Sequence, residues 1–531
     1  MGFSNFMDKA KAKLGSGQGS GSHTAQQPLQ RQTDGPSSIQ PPSYADVQRY
    51  RYHHGTNIGT LFILERWLCG NMFPEGSHGS SELAAAQARV NQEGPQAAQD
   101  RFEKHWREYV SDADLDYLRD VAKCTTVRLP IGYFSLGPPY CQGTPFESVS
   151  QVYTNAWSAV KQLVDRLQQR GIGTLIDLHG LPGGANCQEH SGTNSGKAEF
   201  WSSNDGRGLA TRCLCFIAQQ VKSIPGVVGI QLVNEADANS PGMYDWYNQV
   251  INELTAIDAS MPVYISDGWA LQQATGWSQS VNTTGSSRSP VVVDTHLYWA
   301  FSDADKNKTP QQIISEVEGK LSSLDGVEGS VTDRGAAQVV VGEYSCVLTE
   351  DSWSKSGGSP KDQLVRDFGS AQCKAYQSRA GGSFFWTYRM DWMPGGEWGF
   401  KEMTDASAMK PPMPLTLSKD DAQNRLSTAQ QQRDGRRQQT ISNHTNYWDS
   451  NHPGNYEHWR FEQGWDVGFN DAMQFFGMRG QQGLEGADQI GMLDLWCLKR
   501  LRDSGQGGQF VWEFEQGVRQ GVKDCYQSLG L

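Results

Sequence analysis

Eight short runs rich in valine, isoleucine and other strand formers recur along this chain, separated by longer stretches with helical periodicity. The runs are Gly55 to Glu65, Thr125 to Phe134, Gly171 to Gly180, Val227 to Asp237, Pro262 to Trp269, Pro290 to Phe301, Gln338 to Cys346 and Gly382 to Asp391. Among the intervening stretches, Val152 to Gln169 places Val152, Ala156, Val160, Leu163 and Leu167 on one helical face. Val291-Val292-Val293 and Val339-Val340-Val341 are apolar on successive residues, so both faces of those strands must be covered, as in parallel sheets. Eight strands alternating with helices predict an α/β fold, a (β/α)8 barrel over residues 48–415.

In such a barrel the working residues stand at the carboxyl ends of the strands. The polar residues where the runs stop are Glu65, Arg128, Asp177 with His179, Asn234 with Glu235, His296 with Tyr298, Glu343 and Trp386. Each alone has a bland reading: Arg128 as an interior ion-pair partner, His179 as a satisfied core histidine. Together, at one end of one barrel, they predict a shared mouth. Two glutamates ending buried strands, Glu235 and Glu343, suit glycoside hydrolysis, in which one carboxyl transfers the proton and another meets the anomeric carbon. The 17 tryptophans of the 531 residues suit sugar stacking, and a formal net charge of -12 argues against nucleic acid as a partner.

Seven segments carry a resemblance. Asn57-Ile58-Gly59 to Glu65, Arg128-Leu129-Pro130, Asp177-Leu178-His179-Gly180, Asn234-Glu235, His296-Leu297-Tyr298, Gly342-Glu343-Tyr344-Ser345 and Phe385-Trp386-Thr387 stand in order on the expected strands. Together with Glu397-Trp398-Gly399-Phe400 they resemble glycoside hydrolase family 5, most closely its fungal exo-β-1,3-glucanase branch. The resemblance implies a retaining β-glucosidase, with Glu235 as general acid/base and Glu343 as nucleophile. Arg128 is expected to stabilise the charge on Glu343, and Tyr298 to donate a hydrogen bond to it. That charge is expected to keep Glu235 protonated. Asn234 would bind the sugar 2-hydroxyl, His179, His296 and Glu65 other hydroxyls, and Trp386 would floor the subsite. Phe301 would supply one wall of the entrance.

The chain departs from that branch at Ala236, at Tyr344, at Leu297 and in the polar loop Gly183 to His190. These changes spare the two glutamates and leave the substrate open: a β-1,3-glucan first, with a β-1,6-glucan or a glucosyl lipid as alternatives. An inactive barrel serving as a carbohydrate-binding or scaffold protein is the non-enzymatic alternative. The chemistry needs no metal or other cofactor, and the ten cysteines lack metal-type spacing.

Residues 1–47, rich in Gly, Ser, Gln and Pro, are expected to be a disordered tail. They contain Pro41-Pro42-Ser43-Tyr44, a match to ligands of WW domains. No signal-peptide stretch or membrane-spanning run is evident, which predicts a cytoplasmic protein. The sequons at Asn282, Asn307 and Asn443 would matter only in an exported chain. Residues 416–440 read as a polar linker, and 441–531 as a helical extension with an internal repeat. Phe461-Glu462-Gln463-Gly464 recurs 53 residues later as Phe514-Glu515-Gln516-Gly517. The glycine pairs Gly464/Gly468 and Gly517/Gly521 predict close helix contact. The extension is either a packing appendage on the barrel or a partner- or glucan-binding module built on Trp448, Trp459, Trp465, Trp496 and Trp512.

Overall fold

The computed structural model describes residues 39–327 and 329–531. Eight parallel strands close into a barrel in sequence order: β1 (His53–Asn57), β2 (Thr126–Gly132), β3 (Gly173–Gly180), β4 (Val227–Gln231), β5 (Val263–Ser266), β6 (Val291–Leu297), β7 (Val339–Tyr344) and β8 (Gly382–Phe385). β8 pairs with β1, so no edge strand remains. All eight expected strands are present. The first is displaced: β1 ends at Asn57, and the apolar residues Ile58 to Leu64 form a buried loop. Glu65 therefore projects from a loop and not from a strand end; its backbone N–H is held by the Thr60 hydroxyl at 3.1 Å.

Alternation along the strands explains the two layers of the barrel. Outward residues such as Val127, Leu129 and Ile176 pack against the surrounding helices, including Val160, Leu163 and Leu167 of the Ala156–Gln168 helix. Burying such a side chain contributes about 1.5–3 kcal/mol. Residues two apart share a face, so Leu175, Asp177 and His179 form one row and Val292, Asp294 and His296 another. At the amino end these rows finish in Leu175, Val228, Tyr264, Val292, Val340 and Phe384, which join the core of the C-terminal extension. The extension thus plugs the end of the barrel opposite the predicted mouth.

The expected linker is instead part of a helix, Lys419–Asn451. Ser418 caps it, accepting from the Asp421 N–H, and good helix formers follow. Arg437 ties its exposed face to Asp466 (2.9 Å) and Glu462 on the next helix, Trp459–Gln481. That helix packs on Val511–Ser528 through the repeated glycines. A Cβ on Gly464 or Gly468 would sit 2.1 or 2.0 Å from the carbonyl oxygen of Phe514 or Val518; on Gly517 or Gly521 it would sit 2.2 Å from that of Phe461 or Trp465. The contact is pseudo-twofold, as the repeat predicts. Of the five tryptophans considered for glucan binding, Trp448, Trp465 and Trp496 are core, and only Trp459 is strongly exposed. Gly468→Val should cost about 1–3 kcal/mol or more through backbone overlap. Gly435→Ala, on an exposed helical face with nothing nearby, should be neutral or stabilising by up to about 1 kcal/mol. Thermal melts of the two variants check this contrast.

Of the expected disordered tail, residues 1–38 lie outside the described residues. The rest is ordered: Ser43 caps the helix Tyr44–Tyr50, and Tyr44 is half-buried against the extension. The Pro41–Tyr44 match therefore ends in a helical turn, not an extended exposed ligand. The Asn282 sequon is closed, because its side-chain amide is buried and bonds Val291 on β6 through both its oxygen and its nitrogen. Among the described residues no helix is long and apolar enough to cross a membrane.

Candidate active site

The carboxyl ends of the strands open into a cavity of about 770 Å³. Eight of the ten predicted site residues line it: Glu65, His179, Glu235, His296, Tyr298, Phe301, Glu343 and Trp386. The other two, Arg128 and Asn234, lie fully buried beside them and act through them.

Arg128 organises the floor. Its guanidinium donates to Glu343 Oε1 (2.9 Å), Asn57 Oδ1 (2.9 Å), Gln231 Oε1 (2.9 Å) and Asn234 Oδ1 (2.7 Å). Asp177 lies 2.9 Å away and Asp294 3.7 Å. Burial alone would favour the neutral form, but Asp177, Asp294 and Glu343 outweigh it and raise the pKa further. Glu343 Oε2 accepts the Tyr298 hydroxyl at 2.9 Å. Both expected supports of Glu343 are therefore in place.

A bulge sets the facing of the next pair. The β6–β7 register slips between Thr295 and His296, so that His296 stands opposite Glu343. His296 Nδ1 lies 2.8 Å from Glu235 Oε1 and 3.5 Å from Glu343 Oε2, while its Nε2 lies 3.1 Å from Asp294. His296, expected to hold a sugar hydroxyl, bridges three carboxylates instead. Glu235 itself has φ +44°, a left-handed conformation that costs a non-glycine residue of order 1–3 kcal/mol. Asn186 holds its carbonyl at 3.0 Å. A carboxylate oxygen of Glu235 and one of Glu343 lie within 4.8 Å of each other.

The protonation pattern differs from expectation. Burial pushes the Glu235 carboxyl up, but hydrogen bonds from His190 (3.2 Å) and His296 outweigh it and hold the carboxyl well below the usual range. Burial lowers both imidazoles, yet Glu235 raises His190 to about 9, and Glu343 with Asp294 raises His296 well above its ordinary value. The hydrogen bonds from His190 and His296 thus oppose the proton expected on Glu235 through repulsion by Glu343. His190 was overlooked as a site residue. It was visible in the polar loop after β3, but only the folded loop turns it onto Glu235.

His179, also expected to hold a hydroxyl, has both ring nitrogens engaged, Nδ1 with Asp177 (2.7 Å) and Nε2 facing the Asn234 amide (3.2 Å). Trp386 stacks on it, with centroids 6.1 Å apart at 16°. Glu65 Oε2 accepts from Trp67 Nε1 at 2.9 Å, while its buried Oε1 has no partner among the described residues. Desolvation raises the Glu65 pKa. The loop after β3 is polar, and the entrance aromatics stand on other segments: Trp67 packs edge-on against Trp398 (5.1 Å), and Tyr298 against the exposed Phe301 (5.4 Å). Trp269, also exposed, lines the same opening.

A parallel barrel with paired glutamates among aromatic walls defines a glycoside hydrolase. Residues 90–387 match the family model "Cellulase (glycosyl hydrolase family 5)", and residues 429–529 match "Glucan 1,3-beta-glucosidase 3 C-terminal domain". The chain is 32% identical to "Glucan 1,3-beta-glucosidase 3" of Schizosaccharomyces pombe, over 89% of this chain and 95% of that one. It is 30% identical to an uncharacterized glycosyl hydrolase of Saccharomyces cerevisiae, over 90% and 91%. A rutinosidase from Aspergillus niger shares the fold, with TM-score 0.53 and 18% identity over 69% of this chain and 100% of that one. The chain belongs to glycoside hydrolase family 5, and it is a glycoside hydrolase.

Proposed function

We propose that the chain is a retaining exo-β-1,3-glucosidase with Glu343 as nucleophile and Glu235 as acid/base. The observation that carries this reading is the approach of the two carboxylates to within 4.8 Å. Retention needs the carboxyls about 5–5.5 Å apart, whereas inversion needs room for a water between them. The similarity to the Schizosaccharomyces pombe glucan 1,3-beta-glucosidase 3 supports the β-1,3 linkage.

In the first step Glu343 attacks the anomeric carbon and forms a glycosyl ester. The bond to the aglycone oxygen breaks, and that oxygen takes a proton from Glu235. The proton comes from the neighbouring imidazoles: a shift from His190 or His296 onto Glu235 leaves the proton count of the cluster unchanged. In the second step Glu235 takes a proton from water, which attacks the anomeric carbon and releases Glu343 and the sugar with its original configuration. Arg128 and Tyr298 stabilise Glu343 as it leaves. Asn234, held between Arg128 and His179 beneath the cavity, would reach the 2-hydroxyl only by turning its amide from His179, and the Glu65 Oε1 accepts another hydroxyl. Trp386 supports the ring.

The test is the anomer first released from a β-1,3-glucan, read by proton NMR. The expected product is β-glucose at early times, formed faster than from β-1,6-glucan, β-1,4-glucan or glucosylceramide. Early α-glucose contradicts the mechanism; faster release from another substrate contradicts the linkage.

The imidazole-held proton has a consequence for pH. The cluster keeps it until pH rises through the His190 value of about 9. His190→Asn removes that store, so the alkaline limb of kcat/KM should move toward acid by at least ~1 pH unit. An unmoved limb would rule His190 out of the proton inventory. A WW-domain partner for Pro41, Pro42 and Tyr44 requires the Ser43-capped turn to unwind. A WW domain should therefore bind an isolated peptide spanning residues 39–46 in preference to the folded chain, which a pull-down checks.

A further inference from the structure

We propose that the C-terminal extension holds a divalent metal ion, zinc by its donor set, between His444, His458 and Glu513. The three residues come from separate elements. His444 lies near the end of the Lys419–Asn451 helix, His458 immediately precedes the Trp459–Gln481 helix, and Glu513 is in the first turn of Val511–Ser528. They meet in the C-terminal extension, outside the barrel that carries the paired glutamates.

The geometry suits a small ion. Glu513 Oε2 lies 3.2 Å from His444 Nε2 and 3.0 Å from His458 Nδ1, and the three donor atoms all lie within 4.8 Å of one another. A tetrahedral zinc with bonds of about 2.0–2.2 Å places its ligand atoms roughly 3.3 Å apart. Two imidazoles and a carboxylate leave the fourth position to water, and the partly exposed His458 provides the route in.

The surroundings are those a metal site needs. Glu513 Oε1 accepts the Glu457 backbone N–H at 2.8 Å, which leaves Oε2 to face the histidines. Asp449 Oδ1 lies 3.2 Å from His458 Nε2, so a proton there fixes the ring with Nδ1 turned inward. The His444 ring stacks on Phe461, with centroids 3.8 Å apart at 10°. Trp448, Tyr456 and Trp512 form an apolar shell around the group.

Charge gives an independent reason. Glu513 is wholly buried, and among the described residues its ion pairs run only to the two imidazoles. A buried carboxylate without a cation is costly. A neutral His458 has one ring proton for two facing carboxylates; an ion at Nδ1 supplies the missing positive charge and leaves that proton for Asp449. Glu235, His296 and Glu343 are as closely spaced, but there Arg128 already supplies a fixed cation 2.9 Å from Glu343. The ion in the extension would clamp the connection between two helices onto a third, which makes it structural and leaves catalysis untouched.

The test uses the full chain with any affinity tag removed, stripped with EDTA and returned to ZnCl2. We expect about one zinc per chain by mass spectrometry and a rise in Tm of at least ~3 °C. A CoCl2-loaded sample should show the visible absorption of a tetrahedral site. Glu513→Gln and His458→Asn should lose the zinc and the Tm response while keeping aryl β-glucoside hydrolysis, which reports a folded barrel. Wild-type chain that takes up no zinc, with no Tm response and no cobalt spectrum, overturns the proposal whatever the variants do. Zinc retained by both variants, or zinc that inhibits hydrolysis and is lost in Glu235→Gln, places the ion elsewhere and overturns it too.

Discussion

Glu343→Gln should lose turnover by ~10⁴-fold or more on every glucoside, because an amide cannot form the glycosyl ester. The fold should survive, since glutamine keeps the shape and can still accept from Arg128. Glu235→Ala should behave differently. With an aryl leaving group that departs without a proton, formation of the glycosyl-enzyme stays fast. The second step, which needs a base, becomes slow. A burst of released phenol followed by a slow steady state is the expected trace, and added azide should relieve the slow step by attacking without base assistance. With natural glucan both steps suffer. Equal losses of Glu235→Ala on aryl glucoside and glucan would remove the proton-transfer role from Glu235.

The second large effect belongs to Arg128. Its guanidinium is the fixed positive charge in contact with Asp177 and Glu343 and close to Asp294. Arg128→Met keeps much of the volume but leaves those buried carboxylates with only the imidazoles of His179 and His296 as ionic partners among the described residues. Removing one side of a buried ion pair costs about 3–5 kcal/mol. Activity should fall by at least ~10²-fold as well, because Glu343 loses a donor and Asn234 its anchor. Arg128→Lys retains the charge but cannot span four acceptors in one plane, so it should recover stability only in part. Urea unfolding and aryl-glucoside kinetics on both variants give the two numbers. A methionine variant as stable as the parent would mean that the carboxylates take up protons at no cost, contrary to this picture of the floor.

The barrel was legible because its signal is physical and repeated. Val291–Val293 and Val339–Val341 are apolar on both faces, which only a sheet covered on both sides explains. Reading the polar residues at the strand ends then brought Glu235, Glu343, Arg128 and Tyr298 to one place. What escaped depended on backbone detail. The apolar run Ile58–Leu64 reads like strand because its side chains are buried, yet they are buried in a loop. The Lys419–Asn451 helix buries only Ala422, Ala429, His444 and Trp448, so its composition resembles a linker; its Ser418 cap and its Gln, Arg and Ala content were the available signals. The β7 bulge that brings Glu343 opposite His296 is not legible in residue type. Nor is the loop path that lays His190 on Glu235. The repeat of glycines was readable in full, because a missing side chain every four residues has few uses on a helix except close approach.

The central claim is that Glu343 becomes covalently attached to the sugar. The most direct measurement is the mass of the chain after incubation with 2-deoxy-2-fluoro-β-glucosyl fluoride, followed by peptide mapping. The expected result is one fluoroglucosyl group per chain, carried on Glu343 and absent from Glu343→Gln. Active protein that consumes the reagent without acquiring mass, or that carries the label on any other residue, would contradict it.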